Sequence, residues 1–530
     1  MNRFLKRANK KLGVSGAATL LLIISLVGQV LGFLRYKIVN ANFPIVGPQS
    51  TDAYFAAFKI PDFFFYTLAA GALGVAFIPI LSEHLEKGDR RGVWDLTNSL
   101  LNLLVIVMAI VGTVMFLFAD QLIRYIVAPN LPPEQIHNAA TIMRLISFNP
   151  LLFTISGILA GAQQAFGRFF FFAIGPIFYN VAIMMSVYVF KDNVGLVGLG
   201  VGALIGAILQ LIVVCFGLIN ANFRWRPKIL WRSRDFRSIL RLLPARSIDQ
   251  GVDSINSIAE TNFATRLGVG SVSYYENAYI MHTTPILLIG TAISTAAFPK
   301  LTERLAQGRS DLFRKEFLQV LRAIIWITLP IAVVCYFARG YFARLIFTNS
   351  APEIAVVFGY FAVAILFRSI YAMISRWFYA QKDTATPLFV SLAAIALNIV
   401  LAYFLAKPYN YGIVGLAIAQ SIVAAVEVVI LSAVMVLRDH KLLDKDFWIA
   451  CLKMLSVTGF AVMTAFLMIS VLPLQIADKG FITLGMKLST ITGVTALVYL
   501  VVSWIFDLDE AKSVFKYIKK LIYKPLKVNV

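Results

Sequence analysis

Pro79-Ile-Leu-Ser-Glu-His-Leu-Glu-Lys-Gly88 returns 220 residues later as Pro299-Lys-Leu-Thr-Glu-Arg-Leu-Ala-Gln-Gly308. Further along, Ala162-Gln163 and Asn180 recur as Ala380-Gln381 and Asn398 at an offset of 218, and Gly195-Leu-Val-Gly-Leu199 recurs as Gly412-Ile-Val-Gly-Leu416 at 217. Self-similarity at a nearly fixed offset reports architecture directly. Three matches in the same order, drifting by only a few residues, predict two lobes built from one repeated unit. An even number of spans separates the copies, so both lobes enter the bilayer with the same orientation, about a pseudo-twofold axis along the membrane normal. The usual consequence of such a parallel repeat is a central cavity opened alternately to each side.

The repeat lies in a chain whose solvent is lipid. Of its 530 residues 59% are hydrophobic and 14% charged, with a mean hydropathy of +0.79, whereas a soluble domain carries about a quarter charged residues. A spanning helix needs ~20 mostly apolar residues, and such stretches recur from Ala17 to Phe506. The pattern predicts an all-α polytopic membrane protein of about fourteen helices. They fall over 16–35, 53–82, 97–118, 139–163, 170–190 and 196–219, then over 238–266, 272–299, 317–338, 354–379, 386–406, 412–436, 448–472 and 482–505. The expected organisation is an N-terminal six-helix lobe (1–222), a basic linker (223–237), a C-terminal six-helix lobe (238–440), and two further helices with a basic tail (441–530).

The net charge of +21 is distributed at span edges and not along one stripe, which points to topology and away from nucleic acid. Arg3, Lys6, Arg7, Lys10 and Lys11 precede the first span, whose apolar stretch is too long for a signal-peptide core, so it reads as a retained helix. The linker carries Arg224, Arg226, Lys228, Arg232, Arg234 and Arg237, and the tail Lys512, Lys516, Lys519, Lys520, Lys524 and Lys527. The positive-inside rule places both termini and the linker in the cytoplasm, where this charge also favours anionic headgroups. Cys215, Cys335 and Cys451 sit singly in apolar runs, and His84, His137, His282 and His440 are scattered, so no metal site is expected. No phosphate-cradling loop or nucleophile elbow is present, which argues against an enzyme and against direct ATP hydrolysis. No cofactor is expected, and coupling is left to the membrane potential or a monovalent cation.

Charged residues inside spans cost roughly 2.5 to 3.5 kcal/mol each on insertion scales, so they face a cavity or a partner. The seventh span carries Arg246, Asp249, Asp253, Asn256 and Glu260 at spacings of 3, 4, 3 and 4, all on one helical face. That stripe reads either as the polar wall of a transport cavity or as a set of neutralising pairs. One arginine cannot neutralise three carboxylates, so further cations are expected nearby. Arg35, at the end of the first span, and Lys59, in the second, are the candidates. By chemistry alone a basic residue at a span end such as Arg35 is more often a snorkelling anchor than a ligand. Lys59 and Asp62 flank Pro61, where a proline frees a backbone carbonyl and permits a bend.

Val30-Leu-Gly-Phe-Leu-Arg35, Thr51-Asp-Ala-Tyr-Phe-Ala-Ala-Phe-Lys-Ile-Pro61, Gly71-Ala-Leu-Gly-Val-Ala-Phe-Ile-Pro-Ile-Leu81, the run from Ser156 to Phe170 and Gly175-Pro176 together carry a resemblance over nearly the whole length. The chain resembles the MurJ (MviN) lipid II flippases of the multidrug/oligosaccharidyl-lipid/polysaccharide exporter superfamily. The resemblance implies two six-helix lobes plus two extra helices, a cleft for pyrophosphate and sugars, and a groove for the polyprenyl tail. It implies Arg35, Asp52 and Lys59 as cleft residues, a bacterial cytoplasmic membrane location, and a lipid-linked saccharide and membrane lipids as partners, while cell-wall synthesis enzymes are the partners a scaffold would recruit through the basic tail. The chain also departs from the family pattern: Phe65 and Tyr66 stand where a pair of arginines is usual, Ile280 where another is, and Tyr36 where an acidic residue is. Three functions stay open on this sequence. They are a flippase for a polyprenyl-pyrophosphate-linked wall precursor, an exporter of another lipid-linked oligosaccharide or of organic cations, and a non-transporting scaffold.

Overall fold

The computed structural model describes residues 14–70, 77–219, 221, 223–347, 350–407, 409–478 and 480–512. Among them the regular structure is helical throughout. By packing, the chain forms two compact units, Met1–Ser273 and Tyr274–Val530.

The first unit opens with α1 (Val14–Asn42) and α2 (Thr51–Phe64), which runs on as a π-helical turn over Phe65–Ala70. There follow α3 (Ile78–Glu86), α4 (Arg90–Leu117), α5 (Pro133–Ile146), α6 (Asn149–Ala165), α7 (Phe170–Phe190), α8 (Gly198–Phe216) and α9 (Arg234–Thr265). The second unit holds α10 (Ser271–Pro285, whose first residues belong to the first unit), a π-helical turn over Ile286–Thr291, α11 (Ala292–Ala306) and α12 (Ser310–Phe337). It continues with α13 (Arg339–Ile346), α14 (Ala351–Ala380), α15 (Ala385–Leu405), α16 (Val414–Arg438), α17 (Lys445–Val471) and α18 (Phe481–Ile505).

The repeat read from the sequence recurs element by element. In α2 and α10 a proline, Pro61 or Pro285, precedes a six-residue π-helical turn. The missing N–H of a proline interrupts the i→i−4 ladder, and a π turn is one way the chain absorbs the slip. The opening motif itself is a helix end. Gly88 and Gly308 adopt φ of +74° and +70°, and their N–H groups bond Leu85 O and Leu305 O at 3.0 Å each. A glycine takes this left-handed conformation without the steric cost of a Cβ. Asp89 then caps α4 through Gly92 N at 2.8 Å.

Twelve helices among the described residues are long and apolar enough to cross a membrane. The expectation of about fourteen is approximate for two reasons. The second span, expected over 53–82, contains residues 71–76, which lie outside the described residues. The seventh exists as α9, 32 residues long, but its polar face keeps its mean hydropathy low. By packing, α9 goes with the first unit, whereas the expected lobe boundary falls at the linker.

Each unit has its own apolar seam. In the first, Leu100 and Leu104 of α4 pack with Ile158 and Leu159 of α6, Val214 of α8 and Phe236 of α9. In the second, Phe317 and Ile324 of α12 pack with Met373 and Trp377 of α14 and Leu431 of α16. The two surplus helices attach to α12: Ala450, Ala461 and Ala465 of α17 lie in a cluster with Trp326 and Leu329, and Tyr499 of α18 donates to Trp326 O at 2.9 Å. Small residues let helices approach closely where lipid supplies no hydrophobic drive for association. Their outer faces remain apolar, with Leu452, Met463, Phe466, Ile482, Met486 and Leu497 all exposed.

Candidate functional site

The polar residues singled out above lie on α1, α2 and α9 of the first unit, in separate settings. Pairing comes first from α2. Lys59 Nζ donates to Ser257 Oγ of α9 at 2.7 Å, so the second and seventh spans meet at this lysine through a serine beside the stripe. The helices approach closely because α9 has a glycine there: a Cβ on Gly251 would stand 2.5 Å from Thr67 Oγ1 in the π-helical turn.

Of the α9 stripe, Asn256 and Glu260 are buried, and Asn256 Nδ2 donates to Glu260 Oε1 at 3.0 Å. Asp253, one turn earlier, is exposed. The side chains of Arg246 and Asp249 lie outside the described residues. The stripe is therefore internal towards its C-terminal end and open at Asp253.

Arg35 is half-buried, and its guanidinium lies 5.0 Å from the centroid of the Tyr36 ring. Around it stand the phenols of Tyr36, Tyr54 and Tyr179, and Asp62 acts electrostatically on Tyr54 and Tyr179. Tyr66 also stands close to Asp62, as expected at four residues' spacing along a helix. Phe65 meets Tyr66 at 5.3 Å and Phe153 at 5.5 Å, and Phe153 meets Tyr179 at 5.2 Å. Where the family pattern has two arginines, this chain thus builds an aromatic ladder with one guanidinium at its end. Its tyrosines were missed from the sequence because they are contributed by α2 and α7, more than a hundred residues apart.

Asp52 has a different setting. It is fully buried, and its carboxylate accepts from Gly270 N at 2.6 Å, Ser273 N at 2.8 Å and Ser273 Oγ at 2.6 Å. Thr51 Oγ1 adds a bond to Ser273 Oγ at 2.7 Å. Gly268 and Gly270, with φ of +117° and +90°, shape the turn that presents these donors. This latch ties the start of α2 to the turn that opens α10. The Gly-x-Gly-Ser-x-Ser run was its sequence signal, a turn followed by a helix start.

A second buried polar group sits in the second unit. Arg368 Nη1 of α14 pairs with Glu427 Oε2 of α16 at 2.8 Å, Ser391 Oγ of α15 donates to Glu427 Oε1 at 2.7 Å, and Arg368 Nη2 bonds Gln420 Oε1 at 3.3 Å. Both charges lie in spans, so the cost criterion applied to the seventh span also applies to them. Their 59-residue separation hides the pairing from any spacing argument. Among the described residues no cluster of three histidine, cysteine or acidic side chains could hold a metal ion.

Comparison with known proteins gives these arrangements a family. The model of the family "Lipid II flippase MurJ" matches residues 47–485. A probable lipid II flippase MurJ of Vibrio cholerae is 27% identical over 472 residues, covering 84% of this chain and 87% of the relative. One of Borreliella burgdorferi is 22% identical over 432 residues, covering 80% and 84%. Among solved structures, a lipid II flippase MurJ in an inward closed conformation superposes with a TM-score of 0.76 at 21% identity, over 92% of this chain and 98% of that one. An inward-facing multidrug-resistance transporter of the MATE family superposes with a TM-score of 0.66 at 16% identity, over 80% and 98%. With the family model covering most of its length, this membrane protein belongs to the lipid II flippase MurJ family.

Proposed function

We propose that the chain is a flippase that carries lipid II, the polyprenyl-pyrophosphate-linked precursor of peptidoglycan, outward across the bacterial cytoplasmic membrane. The observation that carries this reading is the family match over 47–485 on a fold of twice-repeated helical architecture. The cargo is moved without covalent change, and the named relatives are flippases, so the protein is a transporter and not an enzyme. Alternating access fits the parallel repeat.

Within the first unit, Arg35 and Lys59 are the cations we assign to the pyrophosphate. Fixed cations in a low-dielectric space suit a concentrated negative charge. Asp249, Asp253 and Glu260 are the counterweight on α9, where a monovalent cation or the membrane potential supplies the coupling. The linker and both termini face the cytoplasm, following the distribution of basic residues. From there the basic tail reaches wall-synthesis enzymes.

The test is rescue of a bacterium depleted of its own lipid II flippase, with surface-exposed precursor quantified by an externally added probe. Restored growth with restored surface lipid II is the expected result. Precursor trapped inside, with the protein folded and inserted, would overturn the assignment and favour the acidic stripe of α9 as a site for organic cations.

A further inference from the structure

The linker after α8 is fastened to α4 by side chains. Asn98 Nδ2 donates to Arg224 O at 3.1 Å, and Asn98 Oδ1 accepts from Arg226 N at 3.2 Å. One turn on, Asn102 Nδ2 donates to Arg226 O at 2.6 Å and Lys228 O at 3.1 Å, while its Oδ1 accepts from Trp225 Nε1 at 3.0 Å. Ser99 Oγ accepts from Leu230 N at 3.1 Å. Two buried asparagines thus do for an extended strap what a neighbouring strand would do, satisfying its backbone groups in place.

The fastening creates a cavity of about 210 Å³ between the strap and the first turns of α4. Arg90 and Arg91 of α4 line it with Arg224 and Arg226 of the strap, over a floor of Trp94 and Asn98. Four guanidiniums meet one lining carboxylate, Asp95, which lies 3.9 Å from Arg226 Nη1. Among the described residues Arg90, Arg91 and Arg224 form no ion pair. A fifth guanidinium, Arg168, is held by Gly217 O and Ile219 O at 3.1 and 3.0 Å. Burial, and then the nearby Arg90, hold its pKa below the usual value. Positive charges converging from separate chain segments repel one another unless an anion sits among them.

Position and size narrow the anion. A 28-residue helix is ~42 Å long, against a hydrocarbon core of ~30 Å, so the first turns of α4 extend into the headgroup layer. The cavity is smaller than the ~300 to 1,000 Å³ of pockets that enclose drug-sized ligands, too small for a disaccharide-peptide headgroup but ample for one phosphate group. Guanidinium forks match phosphate oxygens in pairs.

We propose that this cavity, formed by Arg90, Arg91, Arg224 and Arg226 around the Asn98 and Asn102 strap, binds the single phosphate of an anionic phospholipid headgroup. It is separate from the polar residues of α1, α2 and α9 assigned to the cargo. It rests on the proposed function only through the cytoplasmic placement of the linker. The test uses the purified full chain in detergent, where both faces are accessible, so its failure is distinguishable from a failure of transport.

Native mass spectrometry is to count retained phosphatidylglycerol against phosphatidylcholine, with inorganic phosphate added in a separate arm. Wild type should retain phosphatidylglycerol preferentially, and Arg90→Gln/Arg91→Gln should weaken that retention at least about tenfold. Lys228→Gln/Arg232→Gln, which removes the same charge outside the cavity, should leave it unchanged. Asn102→Ala, which frees the strap and keeps every arginine, should also reduce it. If the helix variant fails to fold, Arg224→Gln/Arg226→Gln tests the same cavity from the strap. Displacement of lipid by inorganic phosphate would support recognition through the phosphate. Phosphate binding without lipid preference would overturn the lipid assignment in favour of a free anion. Equal losses in the cavity and off-cavity variants would overturn the site altogether.

Discussion

Asp52 accepts three hydrogen bonds from Gly270 and Ser273 while fully buried, so its replacement tests how strongly the latch holds. Asp52→Asn turns an acceptor into an amide whose N–H₂ must face one of two N–H donors, leaving a buried group unsatisfied at a cost of about 1 to 3 kcal/mol. Ser273→Ala removes one hydroxyl and leaves both backbone bonds, costing about 0.5 to 1.5 kcal/mol. Thermal unfolding in detergent should therefore rank Asp52→Asn below Ser273→Ala, and equal midpoints would mean that the latch carries no energy of its own. The Arg368–Glu427 pair obeys a different rule. Arg368→Met strands a carboxylate that is 1% exposed, which costs about 3 to 5 kcal/mol when a buried pair is broken from one side. Arg368→Met/Glu427→Gln removes both charges and should recover much of that loss. A double variant no more stable than the single one would show that the pair is not coupled.

The corners between helices carry the clearest record of the repeat. Gly167 and Lys382 each stand just after a helix end, Gly167 after the C-cap Phe166 of α6 and Lys382 after the C-cap Gln381 of α14, with φ of +74° and +63°. A side chain in this left-handed region costs about 1 to 2 kcal/mol, partly offset because glycine also loosens the unfolded chain. Lys382→Gly is thus expected to raise the thermal midpoint, and a lowered midpoint would mean that the lysine side chain makes up the strain. The next residue caps α15. Asp383 accepts from Ala385 N and Thr386 N, both at 3.0 Å, from Thr386 Oγ1 at 2.6 Å and from Arg438 Nη1 at 2.6 Å. Partial burial opposes its ionisation, yet the bonds from Thr386 and Arg438 hold its pKa down to about 2, against an ordinary 3.8. A carboxylate with a depressed folded pKa contributes stability that is fully present above its ordinary value and lost as pH falls towards the folded one. The wild type should lose stability relative to Asp383→Asn between about pH 4 and pH 2, measured as the difference in midpoints; a constant difference would show that the cap is not ionic. Helix ends of this kind were legible only through where the apolar stretches stop, at 163 and 379, within two residues of the ends of α6 and α14 at Ala165 and Ala380, while the left-handed corner residues themselves were not. The aromatic ladder of Phe65, Phe153 and Tyr179 was not, since each ring reads alone as an ordinary apolar residue of a span. The α9 stripe was legible as a face, but only packing separates buried Glu260 from exposed Asp253.

For the whole chain, charge and helix count make one joint claim about sidedness. Twelve described helices qualify as spans, and α2 to α3 and α9 complete the order read from the apolar stretches. Were all fourteen to cross, the tail would return to the side from which the chain starts, and the basic linker, after six, would lie there as well. Turns on the opposite side, such as that around Asp192 between α7 and α8, carry less positive charge. The argument is testable by cysteine placement, because Cys215, Cys335 and Cys451 are free thiols and can be replaced first. Both Asp192 and Arg232 are exposed, so access to a reagent depends on the membrane and not on burial. In intact cells a membrane-impermeant maleimide should label Asp192→Cys at once and Arg232→Cys only after permeabilisation. The reverse pattern would place the linker outside, and with it the arginine cavity on α4, which would then face a leaflet where positive charge is not retained by the insertion rule. Labelling of both from outside would break the even count itself and require one apolar stretch to lie in the membrane without crossing it. The expected pattern makes the parallel repeat and the charge distribution two consequences of one insertion.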